Sequence, residues 1–330
     1  MKTSPHRYLL FALLGLAALQ PAQAIVVNST FAGATTDAEA ASFSQMLASP
    51  FSNVVELSIV AGSRIFTCTG TLISVTTILT AKHCTRIRND LSSITVTFDQ
   101  DGDGALDVGI DQVNSVTSVF EALDAPSNPN LIDGTDLAML TLGGSLPSWA
   151  TSYQRLWDGN VLGLQATMVG YGNQGVNVRT PSTAGGSRWA AKNIIDKVGV
   201  AGFNQPNSAN IISTDFDNGT PAADTLGGYA GSALALLTEG TTAGGDSGGP
   251  LLVDIGGEWL IAGVLSGGTR DDSGYGDISW WTGVSVYRAD IERLGGRFFT
   301  APNSNGVPEP ASLALALLAL LAVGDRKSVV

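Results

Sequence analysis

Short runs of β-branched and apolar residues, broken by glycine, serine, asparagine or aspartate, dominate the chain from residue 54 onward. Val54–Val60, Arg64–Thr67, Gly70–Ser74 and Thr77–Ala81 are runs of this kind, and Ile94–Phe98, Val113–Val119 and Leu137–Leu142 continue the series. Such runs, bounded by turn formers, read as strands. Strands this short and this frequent predict an all-β sandwich or barrel. Ahead of them, residues 28–50 are rich in alanine, serine and threonine and have no clear period. They predict a surface lead-in with a short helix near Asp37–Leu47.

The two ends follow a different pattern. Lys2 and Arg7 precede a mostly apolar stretch, Tyr8–Leu19, which ends at the small-x-small triplet Ala22-Gln23-Ala24. This is the layout of a secretory signal over residues 1–24, and its apolar stretch is short for a membrane span. At the other end, a polar linker over 301–306 leads to Val307-Pro308-Glu309-Pro310, an apolar run Ala311–Val323, and Arg326-Lys327. A membrane anchor with its basic pair left in the cytoplasm is one reading of residues 307–330. The folded domain then occupies residues 25–300.

Composition narrows the class. Forty glycines and a charged fraction of 14% suit a turn-rich β protein, and 44% hydrophobic residues suffice for a sizeable core. The net charge of −12 excludes nucleic acid as partner, since little here would neutralise phosphates. The chain has two cysteines, Cys68 and Cys84, both in the exported part, where a disulfide is permitted. Their pairing would stabilise the fold by about 3 kcal/mol through loop closure.

Candidate chemistry concentrates in Gly244-Gly245-Asp246-Ser247-Gly248-Gly249-Pro250. A serine among glycines, preceded by an acid and closed by a proline, suits a nucleophile displayed on a turn, with the Gly245 and Ser247 amides free to hold an oxyanion. A glycine-rich hairpin would share part of the pattern. His83, the only histidine left once residues 1–24 are removed, follows a strand and adjoins Cys84, so a fixed general base is plausible there. Asp136 opens an apolar strand; it is either a turn cap or a carboxylate that enters the interior to orient an imidazole. Asp99, Asp101, Asp103 and Asp107 open like a calcium loop, but Ile110 stands where an EF-hand needs glutamate. The choice there is between a structural calcium site and a solvated acidic hairpin. Asp215-Phe216-Asp217-Asn218-Gly219 is a weaker echo of that calcium loop and reads more readily as a turn.

With His83, Asp136 and Ser247 in this order, the sequence resembles the trypsin-like, chymotrypsin-fold serine peptidases. The matching words are Thr80-Ala81-Lys82-His83-Cys84, Asp136-Leu137-Ala138-Met139-Leu140 and Gly245–Pro250, with weaker echoes at Val169-Gly170-Tyr171-Gly172 and Val264–Gly268. The resemblance implies two six-stranded antiparallel β-barrels, about 53–147 and 148–300, with the active site in the cleft between them. It implies a Ser247 nucleophile, His83 as base, Asp136 stabilising the imidazolium, and an acyl-enzyme intermediate with no cofactor required for catalysis. It maps the disulfide beside the histidine onto Cys68–Cys84, and it places the acidic loop roughly where some relatives bind calcium. Lys82 replaces the usual alanine and is expected to reach solvent. Cleavage after Ala24 by signal peptidase would free Ile25 to pair with Asp246, as freed Ile-Val termini do in this family. Thr241 falls where trypsins keep a carboxylate, so cleavage after Lys or Arg is not expected; Ser266, Gly267, Gly268 and Gly283 complete the expected substrate-binding set. The tail resembles the PEP-CTERM sorting signal of Gram-negative bacteria, on which exosortase acts, and implies a secreted or cell-surface protein, membrane-anchored for a time. A secreted endopeptidase acting on protein or peptide substrates is the leading reading. An inactive surface-binding homologue and a serine esterase are the alternatives.

Overall fold

A computed structural model describes residues 25–86, 91–121, 131–176, 185–199, 208–227, 235–270 and 272–300. The expected signal (1–24), the linker (301–306) and the sorting segment (307–330) lie outside them. Contacts group residues 1–298 as one unit and 299–330 as another, and every element below belongs to the first.

Six strands close the first barrel: β2 (Val54–Ala61), β3 (Arg64–Ser74), β4 (Thr77–Thr80), β5 (Leu91–Phe98), β6 (Gln112–Glu121) and β7 (Ala138–Leu142), in the order β2-β3-β4-β7-β6-β5. Alternation in β2 sends Leu57, Ile59 and Ala61 inward, where Leu72, Ile78, Val96 and Met139 fill the core. The two runs expected on either side of Cys68-Thr69 form one strand. Gly70 does not break it: a Cβ there would come within 2.5 Å of Ile78 Cγ2, so glycine serves close packing. Cys68 in β3 and Cys84 in the short helix α2 (Lys82–Thr85) are disulfide-bonded, as expected.

The expected second six-stranded barrel is instead, among the described residues, an open eight-stranded sheet. Its main order is β11 (Trp189–Ile194), β9 (Gln165–Gly170), β15 (Pro250–Ile255), β16 (Glu258–Gly268), β17 (Ile278–Gly283), β13 (Ile211–Asp215) and β12 (Lys197–Val198), with β8 (Arg155–Leu156) joined to β16. Register shifts at Leu251/Leu252 and Leu265/Gly267 curl this sheet into a half-barrel. One closed barrel and one curled half-barrel agree with the two-barrel all-β fold.

Two further pieces complete the unit. The lead-in helix α1 runs Asp37–Ala48, capped at Thr36, whose hydroxyl accepts from the Glu39 amide at 3.2 Å. Ser44 docks it on β11 by donating to the Ala190 carbonyl at 2.7 Å. β1 (Val26–Val27) lies between β10 (Gly175–Val176) and β14 (Gly240–Thr241), which leaves Ile25, Val26 and Val27 buried. The helix α3 (Arg288–Arg293) follows β17.

Candidate active site

β4 delivers His83. The strand ends at Thr80, the chain turns into α2, and the His83 amide donates to Asp136 Oδ1 at 2.7 Å. The imidazole Nδ1 stands 2.7 Å from Asp136 Oδ2, so one carboxylate holds both the backbone and the ring. Asp136 is fully buried, and His83 presents its outer edge. A carboxylate facing Nδ1 favours the proton there and leaves Nε2 as the acceptor. Behind it, Thr135 donates its amide to Asp133 Oδ1 at 2.9 Å, and the Tyr287 hydroxyl donates to the Gly134 carbonyl. Burial raises the Tyr287 hydroxyl above its ordinary pKa, so it remains a donor. Asp136 is therefore an interior residue and not a solvent-facing turn cap.

Lys82 does not reach solvent. It is 1% exposed, with its ammonium 4.0 Å from Glu121, a carboxylate that also pairs with Arg86 and accepts from the Thr85 hydroxyl. Burial lowers the lysine pKa, and Glu121 opposes that shift. The sequence near Lys82 gives no sign of this partner, which comes from the end of β6.

The serine loop sits between β14 and β15 and rests on the first barrel. Thr69 of β3 donates its amide to the Ser247 carbonyl at 2.8 Å and its hydroxyl to the Gly245 carbonyl at 3.1 Å. Cys84 Sγ lies 3.6 Å from the Ser247 carbonyl oxygen and 3.9 Å from His83 Nε2, so serine and imidazole flank the same sulfur. No hydrogen bond joins the Ser247 hydroxyl to His83 among the described residues. The Gly245 and Ser247 amides likewise donate to nothing among the described residues, whereas the amides of Asp246, Gly248 and Gly249 are all bonded. Gly245 has φ +100°, a backbone setting that favours glycine.

Asp246 faces away from the serine into the second sheet. Its oxygens accept the amides of Gly172 at 3.1 Å and Ala243 at 3.0 Å, and it pairs with no cation among the described residues. Burial pushes its carboxyl up to about 8 against the pull of those two amides. A Cβ on Gly170 would fall 1.9 Å from Asp246 Oδ1, so glycine makes room for the carboxylate. Ile25 is fully buried, with its carbonyl accepting from the Gly175 amide.

The expected substrate-binding residues divide. Thr241 meets Ser279 at 3.2 Å, and its hydroxyl donates to Asp277 Oδ2 at 3.3 Å. Gly268 also faces Asp277: a Cβ there would lie 3.3 Å from Oδ2. Asp277 is thus a buried carboxylate beside Thr241 that the spacing argument missed, pushed up to about 6 by burial. Gly267 faces the Leu131 side chain, and Ser266 bonds Thr282 at 2.9 Å. Gly283 instead meets Asn210 and lines a cavity of about 270 Å³ with Trp157 and Val286.

In the acidic loop, single carboxylate oxygens of Asp99, Asp101 and Asp103 lie within 4.8 Å of one another; Asp107 is not in that group. Asp99 accepts the amides of Gly102 at 2.7 Å and Gly104 at 2.9 Å, and Arg188 donates to the carbonyls of Asp99 and Gln100. The loop thus closes through its own amides, with a guanidinium resident beside its innermost carboxylate.

The Trypsin family model matches residues 44–291. Similar solved structures include HL collagenase, 20% identical, covering 76% of this chain and 96% of that one with a TM-score of 0.52. Neuropsin, a serine protease expressed in the limbic system of mouse brain, is 18% identical over 75% of this chain and 96% of its own, with a TM-score of 0.52. AL20, a thermostable serine protease from an extremophilic microorganism, is 10% identical over 75% and 98%, with a TM-score of 0.53. At these identities the likeness carries the fold. No curated protein matches the sequence. With the family model covering most of the chain and the curled two-barrel fold beneath it, the protein belongs to the trypsin family of serine proteases.

Proposed function

We propose that the protein is a secreted endopeptidase that cleaves peptide bonds through an acyl-enzyme on Ser247. His83 Nε2 takes the hydroxyl proton as Ser247 attacks the scissile carbonyl. It then returns that proton to the leaving amine, while Asp136 stabilises the imidazolium. The Gly245 and Ser247 amides receive the oxyanion; a single such donor is typically worth about 10²–10³ in rate. The observation that carries this reading is the serine loop's seat on Thr69, with the Ser247 carbonyl and His83 Nε2 on either side of Cys84 Sγ and both amides unengaged.

Export through residues 1–24 belongs to the same proposal, because removing them would turn Ile25 into an α-ammonium beside the second sheet. The buried Asp246 carboxylate is its counter-charge. The tail over 307–330 would hold or route the protease at the cell surface. Ser247→Ala tests the central claim: it should abolish fluorophosphonate labelling and casein turnover in the processed protein. Labelling that survives the substitution removes Ser247 from the role.

A further inference from the structure

Asp215, Asp217 and Asp224 gather where β13 runs out into the following loop, and one carboxylate oxygen of each lies within 4.8 Å of the other two. Asp215 and Asp217 are each 1% exposed. Asp215 Oδ2 is well bonded, accepting the Thr225 amide and hydroxyl and the Leu226 amide at 2.6–2.9 Å. Its Oδ1 is buried without a partner, and so is Oδ1 of Asp217. Asp224 Oδ1 takes the Gly227 amide at 2.8 Å. A fourth buried carboxylate, Glu239, already accepts the Asp217 amide at 2.7 Å. Among the described residues no lysine or arginine pairs with any of the three aspartates.

Buried carboxylates without a cation are costly, and unpaired buried oxygens more so. The acidic loop around Asp99 has the Arg188 guanidinium beside it; this cluster takes amides on one oxygen each of Asp215 and Asp224 but has no cation among the described residues. We propose that Asp215, Asp217 and Asp224 form a binding site for a calcium ion. The donor set is all oxygen, which suits a hard cation and offers zinc neither nitrogen nor sulfur. Calcium holds its ligands at about 2.3–2.6 Å, so oxygens up to about 5 Å apart can share one ion, and its flexible geometry tolerates a loop-built site.

The position gives the ion a consequence. Phe216, between two of the ligands, donates its amide to the Asp277 carbonyl at 2.9 Å and accepts the Gly276 amide at 2.8 Å. Asp277 in turn holds Thr241, which pairs with Val26 of β1. A bound ion braces the segment behind Thr241 and the seat of β1.

The experiment uses the full chain carrying Ser247→Ala, freed of metal with a chelator, so it does not depend on hydrolysis. Calcium should raise the melting midpoint by about 5 °C or more once it exceeds its Kd about a hundredfold. Terbium should bind the same site and give luminescence sensitised by Tyr275, whose ring centroid lies 4.6 Å from that of Phe216, and calcium should quench it. Asp217→Asn and Asp224→Asn should each remove both signals, while Asp101→Asn with Asp103→Asn should leave them. Without calcium, Asp217→Asn should melt no lower than its parent, because it removes a buried charge and no side-chain hydrogen bond. The half-buried Asp224→Asn reads the site even if Asp217→Asn fails to fold. No shift at about 10 mM calcium, well above the weak end of extracellular sites, overturns the proposal. So does a shift that survives both single substitutions, or one lost only with Asp101 and Asp103.

Discussion

Asp136 and Asp246 are both buried carboxylates, one in each half of the molecule, and they meet opposite surroundings. Asp136 takes two donors from His83, at 2.7 Å each, and one of them is a ring that can carry the opposite charge. Asp246 takes two backbone amides and, among the described residues, no cation. The contrast extends outward. The first half is a closed barrel fastened by Cys68–Cys84, and its buried Lys82 faces Glu121. The second is an open sheet in which Asp215 and Asp217 keep unpartnered oxygens. The open half holds buried carboxylates without a cation among the described residues, at Asp246 and at Asp217, where the proposals above place a new amino terminus and an ion.

Three variants break this comparison in different places. Asp136→Asn should have the largest effect, lowering kcat/KM by about 10⁴-fold through the wrong imidazole tautomer while the fold is kept. An enzyme that loses tenfold or less would show that Asp136 only braces the barrel. Replacing both Cys68 and Cys84 with serine should cost about 3 kcal/mol in unfolding free energy, read by denaturant titration. Because the bridge sulfur lies against both His83 Nε2 and the Ser247 carbonyl, turnover should fall further than stability alone explains. Gly170→Ala acts on the other half. Its methyl would collide with Asp246, and a cost of about 1–3 kcal/mol is expected. An unchanged midpoint would mean that the carboxylate is free to move.

The same division decides what could be read from the chain. The strands of the first barrel announce themselves because β2 alternates and turn residues bound each run; the serine loop does so because its glycines have few other uses. The open sheet was not legible. Its pieces β8 and β12, and the strands β10 and β14 that flank β1 beside it, are two residues long, too short to carry any period. Lys82 was placed in solvent because its partner, Glu121, is brought in by barrel closure from a distant strand. Asp277 escaped notice because its approach to Thr241 depends on the register in which β16 and β17 pair, with Gly268 opposite Ser279. The Asp215–Asp217 stretch reads as a turn, but it is the end of β13 and the chain that leaves it; what sets it apart is one buried oxygen on each of the two aspartates with no donor, which is a tertiary property.

The smallest effect, and the one that bears most directly on the contrast, is a pH slope. In a chain that still carries residues before Ile25, Asp246 has no cation among the described residues and its folded pKa is about 8, against an ordinary value of 3.8. Between those two values the folded state holds a proton that the unfolded state has lost, so stability falls as pH rises from about 4 to about 8. On the proposed function, a chain beginning at Ile25 would bring its α-ammonium to Asp246. The carboxylate is then charged in the folded state, its folded pKa is depressed, and the pair's stabilisation is present above about pH 4 and lost as the medium is acidified. Its upper limit is set by the amine, whose ordinary pKa is about 8. Glu239, pushed up to about 8, and Asp277, up to about 6, tilt both forms in the same direction. The difference between the two melting profiles therefore isolates Asp246, and neither profile does so alone. With Ser247→Ala in both forms, the processed chain should gain on the unprocessed one steadily from pH 4 to pH 7, by a few kcal/mol at most. Asp246→Asn should close the gap. Parallel profiles in the unsubstituted pair would mean that the new terminus never reaches the carboxylate, and the open half would then need another source for its missing charge.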